Sequence, residues 1–274
     1  MQEEFIQLQG KEPGPVSVVI GGVHGNERSG ILALEKLLPI LEIERGTVWF
    51  GFGNPKAIEK NVRATETNLN RMFKSEEDIS TEEKISYEYT RARYIKTILD
   101  QADALLDVHS SFTVGSQPFL ICERNAKDIA QYLPVSLVVS GFDTVEPGGT
   151  DYYMNVHGKI GICMECGYLG DDSNSKIAEE GILAFLQSRG HLSGSPKKYE
   201  QEYVQMDSLY MTETDFKLAK DFQDFEDIQA GTLIGMDGDK EIYAEKDCVI
   251  LFARDRPRSK DEAFLLGEKK KSLA

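Results

Sequence analysis

The chain has 274 residues, 41% of them hydrophobic and 28% charged, ordinary values for a globular protein long enough to bury a sizeable core. A formal net charge of −15 argues against nucleic acid or an anionic membrane surface as partner, and no apolar run approaches the roughly 20 residues that span a bilayer. The opening Met-Gln-Glu-Glu-Phe lacks the basic and apolar parts of a signal segment, and the four cysteines have no framework spacing, so a cytoplasmic location is expected.

Residues 16–20 are an apolar run that leads into Gly21-Gly-Val-His24-Gly-Asn-Glu27-Arg-Ser-Gly30, and Ile31, Leu34, Leu38 and Leu41 follow at helical spacing. The pattern predicts a buried strand, a Gly-rich turn and an amphipathic helix. Residues 47–52 predict a second strand, ended by Gly53-Asn54-Pro55 with the proline placed to open a short helix. Residues 61–73 are polar and without a period, the kind of segment that holds binding residues. Residues 75–81 predict an exposed acidic loop, and from Glu82 onward Ile85, Tyr89, Ala92, Ile95 and Leu99 predict a long helix with one buried face.

A short buried strand is predicted over residues 104–108, with His109-Ser-Ser at its carboxyl end. Further strands are predicted over 118–122, 136–139 and 160–166, a helix over 125–133, a turn at Glu146-Pro-Gly-Gly149, and a helix carrying Ile177, Gly181, Ile182, Phe185 and Leu186. Strands alternating with helices indicate an α/β domain, placed at residues 1–194. Beyond His191-Leu-Ser-Gly-Ser-Pro196, short runs at 203–206, 232–236, 241–244 and 248–252 between Gly, Asp and Lys turns predict a smaller β-rich domain at 195–274, with the Lys269-Lys-Lys271 stretch as a solvated tail.

Chemistry gathers at strand ends. The turn after a strand's carboxyl end is where open α/β sheets bind ligands, and it holds His24 and Glu27 here. Zinc accepts both ligand types, and a catalytic site uses three protein ligands and leaves a position for water. Two blander readings exist: an anion cradle built from backbone N–H groups, or a tight turn with incidental polar side chains. His109, also at a strand end, is the natural third ligand, and Asp107 points to the same side two residues earlier. Glu165 lies inside the apolar run Ile160-Gly-Ile-Cys-Met-Glu-Cys, where a charge costs several kcal/mol unless paired or beside a metal. It is either a catalytic base or a core carboxylate bonded to neighbours. Cys163 and Cys166 are three apart in a strand and so face opposite sides, which excludes a shared metal. His157 and His191 read as structural. Arg63 and the pair Asn70-Arg71 offer guanidinium forks suited to carboxylates or to a developing oxyanion.

His24-x-x-Glu27, Arg63, Asn70-Arg71, His109 after Leu-Leu-Asp, and Glu165-Cys-Gly occur in that order over residues 15–190. This combination resembles the succinylglutamate desuccinylase/aspartoacylase family, within the zinc carboxypeptidase superfamily. The resemblance implies a zinc-carboxypeptidase-like mixed sheet flanked by helices, with a smaller β-rich C-terminal domain. It implies one Zn²⁺ held by His24, Glu27 and His109, with Arg63 assisting the carbonyl oxygen. It further implies Asn70 and Arg71 on a substrate carboxylate, and Glu165 as general base and then general acid. The expected activity is hydrolysis of the amide bond of an N-acyl (acetyl or succinyl) acidic amino acid or a similar small carboxylate. Aspartoacylases carry Tyr-x-x-x-Arg before the catalytic Glu, whereas Asp151-Tyr-Tyr-Met-Asn-Val-His157 has no arginine; Tyr152 or Tyr153 is the candidate for a substrate hydroxyl there, with Tyr153 taken as the site residue. A metallocarboxypeptidase acting on short peptides, or a non-catalytic anion-binding protein, are the alternatives, and a homo-oligomer is compatible with the sequence.

Overall fold

Val18, Val19 and Ile20 are all fully buried, yet they serve different cores: Val19 packs on one face of a sheet and its two neighbours on the other. A strand covered on both faces cannot alternate apolar with polar, which is why this run is continuously apolar. In the computed structural model, which describes residues 4–273, the strand is β2 (Glu12–Gly21), following β1 (Ile6–Gln9). The opening Met1 to Glu3 and the final Ala274, parts of the N-terminal and tail readings, lie outside the described residues. After β2 come α1 (Arg28–Leu37), β3 (Arg45–Phe52), α2 (Pro55–Lys60), α3 (Tyr87–Leu99) and β4 (Ala104–Ser111). Next are β5 (Phe119–Cys122), α4 (Lys127–Ala130), β6 (Leu137–Ser140), α5 (Phe142–Val145), α6 (Thr150–Val156), β7 (Ile160–Tyr168) and α7 (Ser175–Ser188). The remainder is β: β8 (Glu202–Met211), β9 (Phe216–Leu218), β10 (Glu226–Ile228), β11 (Leu233–Asp237), β12 (Lys240–Tyr243), β13 (Cys248–Leu251) and β14 (Glu262–Lys270).

Among the described residues, eleven strands form one mixed sheet in the order β1-β3-β2-β4-β7-β5-β6-β8-β14-β13-β10, and β12-β11-β9 form a second, antiparallel one. The centre is parallel: β2 pairs in parallel with β3 and β4, and β4 with β7, so the carboxyl ends of β2, β4 and β7 open at one edge. Helices α1 and α7 cover one face over a core of Leu34, Leu106, Ile162, Met164, Ile182 and Phe185. Helix α3 covers the other through Ala92, Ile95 and Leu99. A mixed sheet between helices, with a smaller β sheet toward the C-terminus, is the architecture the sequence predicts. The boundary drawn at residues 194 and 195 falls between α7 and β8, and β8 then pairs in parallel with β6 and antiparallel with β14.

Several elements differ from expectation for identifiable reasons. The helix predicted over 125–133 shrinks to α4 and a 3₁₀ turn, because Ala126 offers no side-chain cap and Leu133 precedes Pro134, which disfavours helical backbone. The long helix from Glu82 starts later, at Tyr87: Ser86 caps it by accepting from the Tyr89 N–H at 3.2 Å, and Ile85 sits in a preceding 3₁₀ turn, 87% exposed. Lys269 and Lys270 are not a free tail. They pair with Val204 and Tyr203 as the end of β14. Residues 150–156, given no element from sequence, form α6.

Candidate active site

The Gly-rich turn is shaped by sterics before it is shaped by chemistry. Gly22 has φ of +70°, a conformation that side chains resist, and a Cβ on Gly25 would stand 2.1 Å from the Ala57 carbonyl carbon of α2. With the turn held that close, His24 and Glu27 swing under the carboxyl end of β4. Glu27 is also the residue that starts α1, where a carboxylate is favoured by the helix dipole.

The Glu27 carboxylate bridges two imidazoles. Its Oε1 lies 2.7 Å from His24 Nδ1 and 3.0 Å from Arg63 Nη1; its Oε2 lies 2.9 Å from His109 Nδ1 and accepts from the Ser110 N–H at 3.1 Å. The two rings meet edge to face with centroids 5.1 Å apart. Each imidazole is oriented from behind: His24 Nε2 faces Asn68 Oδ1 at 3.0 Å, and His109 Nε2 faces Asp107 Oδ2 at 3.1 Å. Asp107 is wholly buried and accepts from the Thr150 hydroxyl at 2.5 Å. Both Nδ1 atoms are thus turned toward the shared carboxylate.

One donor atom from each of His24, Glu27 and His109 lies within 4.8 Å of the others, all three residues buried. Two imidazole nitrogens and one carboxylate oxygen are a donor set that zinc takes, and the fit extends to the partners that fix each ring. Burial, reinforced by Arg63, pushes His24 down to about 4, so its imidazole is neutral, the form a metal binds. Burial opposes charge on Glu27 and His109 as well. The imidazoles around Glu27 nonetheless hold it well below the carboxylate range, while Asp107 and then Glu27 raise His109.

Glu165 enters from the neighbouring strand. His109 on β4 and Glu165 on β7 are register partners, on the same face as Asp107 and Cys163. The carboxyl is 6% exposed, and its Oε2 has no hydrogen-bond partner among the described residues. Burial, and then repulsion from Glu27, push it up to about 8. Cys163 and Cys166 pack in different cores on opposite faces of β7, and all four cysteines are free and buried.

These groups line one cleft that opens to solvent. Arg63, Asn70 and Arg71 also line it. The polar segment carrying Arg63 is tied down by Glu88, fully buried on α3, which accepts from the Thr65 N–H and hydroxyl at 2.7 and 2.6 Å and from Asn54 at 3.1 Å. Arg71 is already engaged: it makes a two-pronged pair with Glu262 of β14 at 2.8 and 3.0 Å, donates to the Asn70 carbonyl, and pairs with Glu146. Burial and Glu262 raise Glu146 to about 7. Arg71 overrides burial and holds Glu262 down, so one guanidinium serves two acids of unlike character.

Tyr153 requires correction. It does not line the cleft; it points from α6 to Asp100 at the end of α3, whose carboxylate accepts from its hydroxyl at 2.7 Å, and it packs against Phe73 and His157. Tyr152, one residue earlier on the helix and so turned by roughly 100°, lines the cleft instead. His191 holds the Arg45 carbonyl and the Ser17 hydroxyl, and His157 the Tyr153 carbonyl, both away from the cleft. Arg254, Glu262, Phe252 and Phe264 line it from the C-terminal strands and their connections, and the sequence reading did not reach them.

The family model described as the succinylglutamate desuccinylase/aspartoacylase catalytic domain matches residues 13–188. Succinylglutamate desuccinylase of Idiomarina loihiensis is 28% identical over 281 residues, covering 88% of this chain and 79% of that protein. N-alpha-acetyl-L-2,4-diaminobutyric acid deacetylase of Halomonas elongata is 27% identical over 211 residues, covering 71% and 60%. Among solved structures, succinylglutamate desuccinylase from Vibrio cholerae matches with a TM-score of 0.78 at 18% identity, over 93% of this chain and 82% of that one. The product-bound ectoine utilization protein EutE (DoeB) from Ruegeria pomeroyi matches with 0.71 at 22% identity, over 94% and 87%. The structural matches speak for the fold; the sequence relatives carry the names of N-acyl amino acid deacylases.

Proposed function

The chain belongs to the succinylglutamate desuccinylase/aspartoacylase family, and from that premise we propose that it is a zinc-dependent hydrolase. It cleaves the amide bond of an N-acyl amino acid, acetyl or succinyl, whose amino-acid part is acidic. One observation carries the reading: His24, Glu27 and His109 converge in a buried cluster, and Glu165 stands beside it on the next strand with a carboxyl oxygen unclaimed.

His24, Glu27 and His109 would hold one Zn²⁺, which when bound acidifies water and polarises an amide carbonyl. Asn68 and Asp107 keep the two imidazoles presenting their Nδ1 atoms. Glu165 takes a proton from water as the carbonyl is attacked and delivers it to the leaving amine. Its carboxylate form is favoured once positive charge is held beside it, which brings it into the range of a base at neutral pH. Arg63, half exposed and already at Glu27, is placed to donate to the developing oxyanion. Asn70, whose side-chain oxygen accepts from the Thr150 N–H at 3.4 Å, presents the remainder of its amide to the substrate. Residues 195–274, taken as a second domain, supply the far wall of the cleft through Arg254 and Glu262.

Among the described residues no helix is long and apolar enough to cross a membrane. Four buried free thiols fit a reducing compartment, and we place the enzyme in the cytoplasm. The decisive experiment measures zinc per purified chain and then screens acetyl-, succinyl- and formyl-amino acids against dipeptides. About one zinc per chain with turnover of N-acyl acidic amino acids is expected. Zinc far below one equivalent, or turnover confined to dipeptides, overturns the proposal.

A further inference from the structure

Three guanidinium groups line the cleft, and two are spoken for. Arg63 donates to Glu27, and Arg71 is saturated by Glu262, Glu146 and the Asn70 carbonyl. Arg254 is different. Its backbone is fixed, its N–H donating to the Ala263 carbonyl at 3.0 Å, and its guanidinium lies over the Phe112 ring 4.1 Å from the centroid. Among the described residues it has no ion pair or side-chain hydrogen bond, and its Nε is buried without a partner. A guanidinium at the cleft wall is thus left with no protein acceptor.

We infer that Arg254 is a residue that receives a substrate carboxylate, beside an Arg71 already paired with Glu146 and Glu262. The inference rests on the proposed hydrolase reading and adds to it the residue that selects an anionic substrate. Three features agree. A buried unsatisfied donor is costly unless something arrives to accept from it, and a carboxylate accepts two parallel N–H bonds from a guanidinium. Stacking on Phe112 pins the planar group, so little freedom remains to be lost on binding. Burial, and then Arg256 and Arg63, disfavour the charged form of Arg254 and lower it to about 9 against the pull of Glu262 and Glu146, a cost that an arriving anion relieves. Arg71 has the opposite balance: any carboxylate reaching it must first displace Glu262 or Glu146. Arg254 also lies in the connection between β13 and β14, so it answers the lack of an arginine in Asp151 to His157 from a different part of the chain.

The test compares wild type with Arg254→Gln, and with Arg254→Lys as the conservative variant. Calorimetric titration with succinate, which is not turned over, is expected to weaken by about 10- to 100-fold in Arg254→Gln and to recover in part with lysine. For an N-acyl dicarboxylate substrate, KM is expected to rise by a similar factor while kcat stays within about threefold, the pattern of lost uniform binding. With the two monoamides of that substrate, the penalty is expected to vanish for the one whose neutralised group sits at Arg254. Unchanged succinate binding, or an equal penalty on both monoamides, overturns the inference. Should Arg254→Gln fail to fold, the lysine variant and the monoamide series on wild type carry the same comparison. Because succinate binding needs no catalysis, a failed hydrolysis screen and a failed anchor read out separately.

Discussion

Replacing Asp107 with Asn changes one buried oxygen to a nitrogen and nearly nothing in volume, so its effect isolates a charge. Asp107 is 0% exposed, sits two residues before His109 on the same face of β4, and puts Oδ2 3.1 Å from His109 Nε2. That charge favours the tautomer with its proton on Nε2 and leaves the Nδ1 lone pair for a metal. An asparagine removes the charge, and its amide has to serve both His109 and the Thr150 hydroxyl, which donates to Oδ2 at 2.5 Å. When its NH₂ faces the ring, the tautomer reverses and Nδ1 carries the proton. Loss of such a supporting carboxylate typically weakens metal affinity by about 10- to 100-fold, or about 1.4–2.8 kcal/mol. Zinc affinity measured by chelator competition reads this directly, with melting in chelator confirming that the apo fold persists. Thr150→Val keeps the charge and removes only its tether, so its loss should be smaller than that of Asp107→Asn. If Asp107→Asn binds zinc within twofold of wild type, His109 is not held by this carboxylate and the reasoning fails.

Glu165→Gln is expected to lower kcat by about 10²–10⁴ while bound zinc, counted by metal analysis, stays at the wild-type level; a variant that keeps wild-type turnover removes Glu165 from the reaction. Asp237, 4% exposed, accepts from the Glu213 and Thr214 N–H groups and from the Thr214 and Tyr210 hydroxyls. Burial works against its charge, yet these bonds hold it at about 2, below its ordinary 3.8. A depressed carboxyl lends stability that is complete above about pH 4 and drains away as pH falls toward 2. Asp237→Asn should therefore cost on the order of 1–2 kcal/mol in urea unfolding at pH 7, with a gap that narrows below pH 4; a gap that does not change with pH refutes the reasoning. Tyr153→Phe should leave KM unchanged and cost about 0.5–1.5 kcal/mol through the lost Asp100 bond, whereas Tyr152→Phe is where a change in KM is expected.

The α/β half of the molecule could be read because its signals are local. A doubly covered strand shows as an unbroken apolar run, as at residues 18–20, and a charge inside such a run, as at Glu165, stands out because its cost must be met by something. The convergence of His24, Glu27 and His109 has a local signal too, because strand ends gather at one edge of a parallel sheet. Other parts hide because their logic is non-local. β9, β10 and β14 alternate too briefly or too irregularly to announce themselves, and only pairing with β11, β13 and β8 makes them strands. Arg254 and Glu262 gain their place from a chain reversal more than 180 residues after Arg71, which no window of sequence contains. Glu88 was accessible in principle. It precedes Ala92, Ile95 and Leu99 by four, seven and eleven residues, on the buried stripe of α3, and a carboxylate at such a position signals a loop that needs anchoring. The choice between Tyr152 and Tyr153 was out of reach because residues 150–156 were given no helix, and without one there was no way to say which of the two faced the cleft.

The parallel seam between β6 and β8 has a practical consequence for anyone dissecting the protein. Cutting the chain after residue 194 would not release a finished catalytic half; it would bare the β6 backbone, whose N–H and C=O groups are a template for sticking to other chains. The same cut strips Glu262 from Arg71, leaving that guanidinium with Glu146 as its one acidic partner among the described residues. Fusions and tags belong at the ends of the intact chain, and a truncated fragment that precipitates would be reporting a torn sheet rather than a poor enzyme.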